Sequence, residues 1–119
     1  NIFEWAGLMR RAHPELQLLY HVANEGKRTW KTGARLKSEG LKPGVPDICL
    51  PVARGKYHGL YVELKRRDQR ASRVRDSQRW WLVELGVQGY HAQVCYGAED
   101  AQGVILRYLA LEDGKAMPV

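Results

Sequence analysis

Between Pro43 and Lys65 the chain carries two short apolar runs, Val45-Pro46-Asp47-Ile48-Cys49-Leu50 and His58-Gly59-Leu60-Tyr61-Val62-Glu63-Leu64-Lys65. A basic turn, Arg54-Gly55-Lys56, separates them. Neither run has the length of a helix, and Gly and Pro punctuate both, so the stretch reads as two strands joined in a hairpin. Side chains alternate across a strand. Leu60, Val62 and Leu64 therefore share a core-facing side, while Glu63 and Lys65 share the other, roughly 7 Å apart. Hairpin pairing brings Asp47 beside Glu63. A sheet built on this stretch must place two acids and an amine at one strand end.

That combination has a chemistry. Two converging carboxylates make an oxygen-rich site suited to a hard cation such as Mg²⁺, which takes one or two protein carboxylates and fills its remaining positions with water and phosphate oxygens. A lysine alongside can position or activate an attacking water and offset charge on a phosphate. The triplet alone also fits a solvated strand end with a surface ion pair.

The remainder of the chain supplies the layers. Trp5, Leu8, Met9 and Ala12 recur at helical spacing, with Pro14 beyond them. Leu16 to Val22 reads as a first strand. His21 fits a hydrogen-bonded structural residue better than a catalyst, and Asn24 fits either a loop bond or a phosphate contact. Thr32 to Glu39 reads as a short helix that Gly40 stops; Trp30 before it either stacks on a base or packs beneath the helix. Asp68 to Ser72 reads as a mobile loop. Ser72 or Arg73 opens a helix that ends at Gly86, with Val74, Trp81, Leu82 and Leu85 on its apolar stripe. Gln78 lies in that stripe, where a buried amide needs a partner. Tyr90 to Tyr96 is a further strand. A last helix carries Glu99 and Asp100 in its first turn, where acids suit the dipole, and buries Ala101, Val104, Ile105, Tyr108 and Leu109. Glu112 to Val119 reads as a loose tail. The order predicts an α/β fold with one mixed sheet flanked by helices, and 119 residues predict one domain spanning 1–119.

Charge is unevenly spread. Residues 27–79 hold 15 Lys/Arg against 5 Asp/Glu, a balance of +10, within a chain whose net charge is +6. Such a block favours a polyanion, and two of its five acids are the candidate metal ligands. No apolar run has the length of a membrane span and no signal peptide is visible, so an intracellular setting is expected. Cys49 and Cys95 fall in apolar runs and are expected reduced and buried.

Gly44-Val45-Pro46-Asp47 followed by Glu63-Leu64-Lys65, with Gln78 on the next helix, resembles the VRR-NUC (virus-type replication-repair nuclease) family of the PD-(D/E)xK superfamily. The likeness continues through Tyr20-His21-Val22-Ala23-Asn24, Arg35 to Gly40, Gln78-Arg79-Trp80-Trp81 and Gly89-Tyr90, roughly residues 18–110. It implies a restriction-endonuclease-like core and a Mg²⁺- or Mn²⁺-dependent endodeoxyribonuclease. Asp47, Glu63 and the Leu64 carbonyl would bind metal, Lys65 would act on the water, and Gln78 would support them. Asn24, Arg28, Lys31, Arg35, Lys37, Arg66, Arg67 and Arg70 would contact DNA. The family's first-helix glutamate is either Glu4 or a residue upstream of Asn1. Stand-alone relatives are dimeric and resemble Holliday-junction resolvases, which implies a homodimer acting on branched DNA in a bacterium or phage-infected cell. The alternative is a catalytically silent basic nucleic-acid-binding module. A small-molecule phosphohydrolase fits less well, since a nucleotide needs no such wide basic field.

Overall fold

The computed structural model of the chain describes residues 1–22, 38–69 and 74–118. The elements are α1 (Ile2–Met9), a 3-10 helix (Pro14–Leu18), β1 (Tyr20–His21), β2 (Ile48–Leu50), β3 (Leu60–Lys65), a second 3-10 turn (Arg67–Gln69), α2 (Asp76–Val87), β4 (His91–Tyr96) and α3 (Ala98–Leu109). They build one mixed sheet in the order β1-β2-β3-β4. β1 pairs antiparallel with β2, and β2 antiparallel with β3. β4 runs parallel to β3, so α2 is the crossover that a parallel pair requires. This is the α/β, helix-flanked mixed sheet expected. No helix among the described residues is long and apolar enough to cross a membrane.

The strand alternation divides the sheet as expected. Ile48, Leu50, Leu60 and Val62 join Ala101, Val104, Ile105 and Tyr108 of α3, and Ile2 and Ala6 of α1, in the core. Cys49, Tyr61 and Glu63 fall on the opposite face by alternation. Both cysteines are free and buried. The Tyr108 hydroxyl, inside this core, donates to the Val52 carbonyl at 2.6 Å, so its one polar atom is satisfied.

The Arg54–Tyr57 turn forms where expected, with paired backbone bonds and Gly55 at φ +58°. Arg54 fixes it further by donating to the Leu109 carbonyl at the end of α3 and pairing with Glu15.

Five expectations are corrected. The inward face of α1 is set by Ile2 and Ala6, which lie four apart, while Leu8 is 85% exposed. Trp5 and Met9 pack at its margin, and Ala12 lies beyond the helix, which ends at Met9. Leu16 to Val22 is not one strand. Pro14 opens a 3-10 helix, and Leu16 and Leu19, three apart, both turn inward. Only Tyr20 and His21 remain as strand. The helix expected from Ser72 or Arg73 starts at Asp76, and Arg67–Gln69 is a 3-10 turn where a loop from Asp68 was expected. The end of the chain is not loose: Met117 is 9% exposed and its N–H donates to the Tyr57 hydroxyl at 2.9 Å. Lys56 N–H donates to the Lys115 carbonyl at 3.0 Å.

Candidate active site

Asp47 stands immediately before β2. Its backbone is fixed from the β1 side, because Val22 N–H donates to the Asp47 carbonyl at 2.7 Å. The β2–β3 register pairs Ile48 with Val62, so one further step sets Asp47 opposite Glu63. The two acids therefore lie on the same face of the sheet. The Asp47 side chain also accepts from the Leu64 N–H at 2.8 Å. β2 ends just short of Leu64, so this carboxylate takes the place of the next ladder bond.

Glu63 is 4% exposed, an unusual burial for a carboxylate. Burial and then the Asp47 charge push its pKa up to about 7, against the opposing pull of Lys65. The Glu63–Lys65 ion pair is long, 4.0 Å.

Gln78 fills the space between them. Its Nε2 donates to Glu63 Oε2 at 2.9 Å, and its Oε1 accepts from Lys65 Nζ at 3.1 Å. The same Oε1 accepts from the Arg75 backbone N–H at 3.0 Å. Gln78 is thus the third residue of α2 and caps the helix's first turn, as a capping-box glutamine does. Arg75 at the N-cap has no acceptor of its own to complete the reciprocal bond. The amide predicted on the inward face is buried and satisfied by three partners.

The placement of α2 follows from the loop before Asp47. Gly44, at φ +87°, lies so close that a Cβ would sit 2.6 Å from the Ser77 backbone. Trp81 Nε1 donates to the Pro43 carbonyl at 3.0 Å. The tight Pro43-Gly44 passage therefore holds the helix that carries Gln78 against the strand end that carries Asp47.

The other expected site residues divide. Arg66 and Arg67 follow Lys65 directly and are exposed. Arg66 pairs with Asp68 at 3.5 Å, and Arg67 lines a cleft of about 390 Å³ with Tyr96 and Asp100. Asn24, Arg28, Lys31, Arg35, Lys37, Arg70, Trp30 and nearly all of the short helix from Thr32 lie outside the described residues. His21 pairs with Ile48 and meets the Phe3 ring edge-on at 6.4 Å. Glu4 is exposed, and among the described residues no group of three or more His, Cys, Asp or Glu side chains could hold a metal ion. Sequence reasoning did not find the Leu64 amide bond or the capping role of Gln78. The Gln placed three residues after Arg75 was the available signal for the second.

The α/β fold thus places two acids in register and an amide-bridged lysine at one end of a mixed sheet in which β3 and β4 run parallel. The VRR-NUC domain model matches residues 7–99, and the chain belongs to that family. A solved structure described as a VRR_NUC domain protein superposes with a TM-score of 0.79 at 27% identity, covering 99% of this chain and 90% of that one. No curated protein matches. The fold is consistent with the restriction-endonuclease-like core, and family membership implies a nuclease-type, hydrolytic function.

Proposed function

We propose that this chain is a divalent-metal-dependent endonuclease that hydrolyses phosphodiester bonds in DNA. The observation that carries the reading is the opposition of Asp47 and Glu63 on one sheet face, with Lys65 joined to Glu63 through Gln78. The donors fit Mg²⁺ or Mn²⁺: they are hard oxygens, and the Asp47 charge that raises the Glu63 pKa is one a divalent cation would offset. Asp47, Glu63 and the Leu64 carbonyl would hold the ion. When bound, it supplies a Lewis acid that lowers the pKa of water and polarises the phosphate.

The chain's own groups do the rest. Lys65 carries three N–H donors, of which Gln78 takes one. The remainder can hold the attacking water or a phosphate oxygen as negative charge builds. Gln78 positions Lys65 and Glu63 and does not itself touch the reacting atoms. Water's oxygen forms a bond to phosphorus while one P–O ester bond breaks, leaving a hydroxyl end and a phosphate end. The exposed arginines beyond Lys65 supply the field that collects the polyanion.

Branched DNA and a homodimer are carried here by the family resemblance. Two active sites about a two-fold axis suit paired cuts in a four-way junction. Sedimentation under cleavage conditions that shows monomers alone contradicts paired cutting. The second reading is a basic module that binds without cutting, which the block of 15 Lys/Arg against 5 Asp/Glu over residues 27–79 serves equally well. One experiment separates the two. Duplex, flap, splayed-arm and four-way-junction DNAs are incubated with Mg²⁺ or with EDTA. Products that appear only with Mg²⁺ support the nuclease. Salt-sensitive binding without product, retained in Asp47→Ala, supports the binder.

A further inference from the structure

The proposed nuclease site leaves part of its surroundings unused. Beside it, Lys42, Pro43, Ser77, Trp80 and Trp81 line a cleft of about 450 Å³. Two of its lining residues adjoin the site along the chain: Ser77 precedes Gln78, and Pro43 opens the passage that leads through Gly44 to Asp47. Trp81 is held by its bond to the Pro43 carbonyl. Trp80 is 58% exposed and stands perpendicular to it, with ring centroids 5.5 Å apart and an interplanar angle of 89°. The edge-to-face contact with Trp81 leaves more than half of the Trp80 surface open to a ligand in the cleft. The rim carries the exposed Lys42, within the chain's basic block.

We propose that this cleft receives one unpaired nucleobase of the DNA substrate, stacked on Trp80, with Lys42 meeting the adjoining phosphate. The proposal rests on the nucleic-acid substrate of the reading above and adds which part of it the protein grips. Each chemical feature of the cleft has its counterpart. An indole face stacks on any base without regard to sequence. A single ammonium at the rim matches a backbone phosphate. The volume, at the lower end of small-ligand pockets, suits one nucleotide and not a duplex. Stacking there favours DNA with strands parted next to the scissile phosphate, and gives a physical origin for preferring branched over continuous duplex DNA.

The test is binding of the full chain in EDTA to an oligothymidylate and to a blunt duplex with an equal number of phosphates. Trp80→Ala is expected to weaken oligothymidylate binding by about fivefold to a hundredfold more than it weakens duplex binding. Trp80→Phe, which keeps a ring, restores part of that difference and guards against a folding defect in the alanine variant. In the wild type the bound oligothymidylate quenches indole emission, and Trp80→Phe removes most of the quench. Equal losses on both DNAs, or no loss, overturn the proposal. So does a shift from dimer to monomer in Trp80→Ala with strand affinity retained, which makes the face an interface between copies of this chain. Mg²⁺-dependent cleavage by the wild type is measured alongside. Cleavage without a strand-selective loss removes the base site alone, and a strand-selective loss without any cleavage keeps the base site and removes the nuclease.

Discussion

The Leu64 N–H donates to Asp47 Oδ2 at 2.8 Å, which ties the acid heading β2 to the backbone one residue beyond the buried acid of β3. Asp47 therefore has a structural task as well as the metal-binding one proposed for it, and the two can be separated by substitution.

Asp47→Ala removes the charge and the acceptor. It is expected to abolish Mg²⁺-dependent cleavage and to cost about 1–2 kcal/mol of stability for the orphaned Leu64 amide. Asp47→Asn keeps an acceptor, so stability in a urea titration stays within about 0.5 kcal/mol of wild type while cleavage is still lost. An asparagine variant that cuts at the wild-type rate removes Asp47 from the chemistry.

Gln78→Ala takes a donor from buried Glu63, an acceptor from Lys65 and the cap from α2. The expected cost is about 2–3 kcal/mol, with cleavage reduced at least about tenfold. Lys65→Ala abolishes cleavage on its own. In a weaker background, Lys65→Arg combined with Gln78→Ala should lose less than the sum of the two, because both act on one contact. Additive losses would show that Gln78 does not work through Lys65.

Acid strengthens the metal-free protein at Glu63. Its folded pKa of about 7 lies above the unfolded value of 4.5, so the folded state holds a proton that the unfolded chain has already released between those values. The associated stability is fully present below pH 4.5 and lost as pH rises through 7, a change of about 3 kcal/mol. Thermal melts in EDTA should show this decline, and Glu63→Gln should flatten it. A slope unchanged in Glu63→Gln assigns the titration to another group.

Gly44→Ala combines a left-handed backbone with a Cβ 2.6 Å from the Ser77 backbone. The expected loss is about 2–4 kcal/mol. Displacement of α2 also withdraws Gln78, so cleavage measured below the unfolding transition should fall as well. Gly114→Ala, a control with open space around its Cβ at a similar φ, pays only the backbone strain.

Met117→Ala empties a site at which the final residues pack beside Tyr57. A loss of about 2–3 kcal/mol is expected by chemical denaturation. A neutral result would mean that this segment's packing contributes nothing to the fold.

The strands that place Asp47, Glu63 and Lys65 were legible because a period of two puts Leu60 and Val62 on one face and Glu63 and Lys65 on the other, and a one-residue slip would exchange the two sets. The stripe of α3 was legible for the same reason at a period of 3.6. Gln78 was visible as an inward amide, but its cap on Arg75 was not, because the apolar pattern extends upstream to Val74 while the helix begins where a backbone donor is satisfied. In α1, Leu8 competed with Ile2 for the inward phase, and eight residues give too few turns to decide it. The run from Leu16 to Val22 failed as a strand because Pro14 fixes a tight turn whose period of three places Leu16 and Leu19 together. The order in the last residues depends on Tyr57 and Lys56, sixty positions away, and no local pattern announces such a partner.

The two hydrogen bonds that the Gln78 oxygen accepts, from Lys65 Nζ and from the Arg75 amide, link the first turn of a crossover helix to the charge pair it covers. A chain whose crossover has not yet docked owns two acids and an amine but no bridge between them.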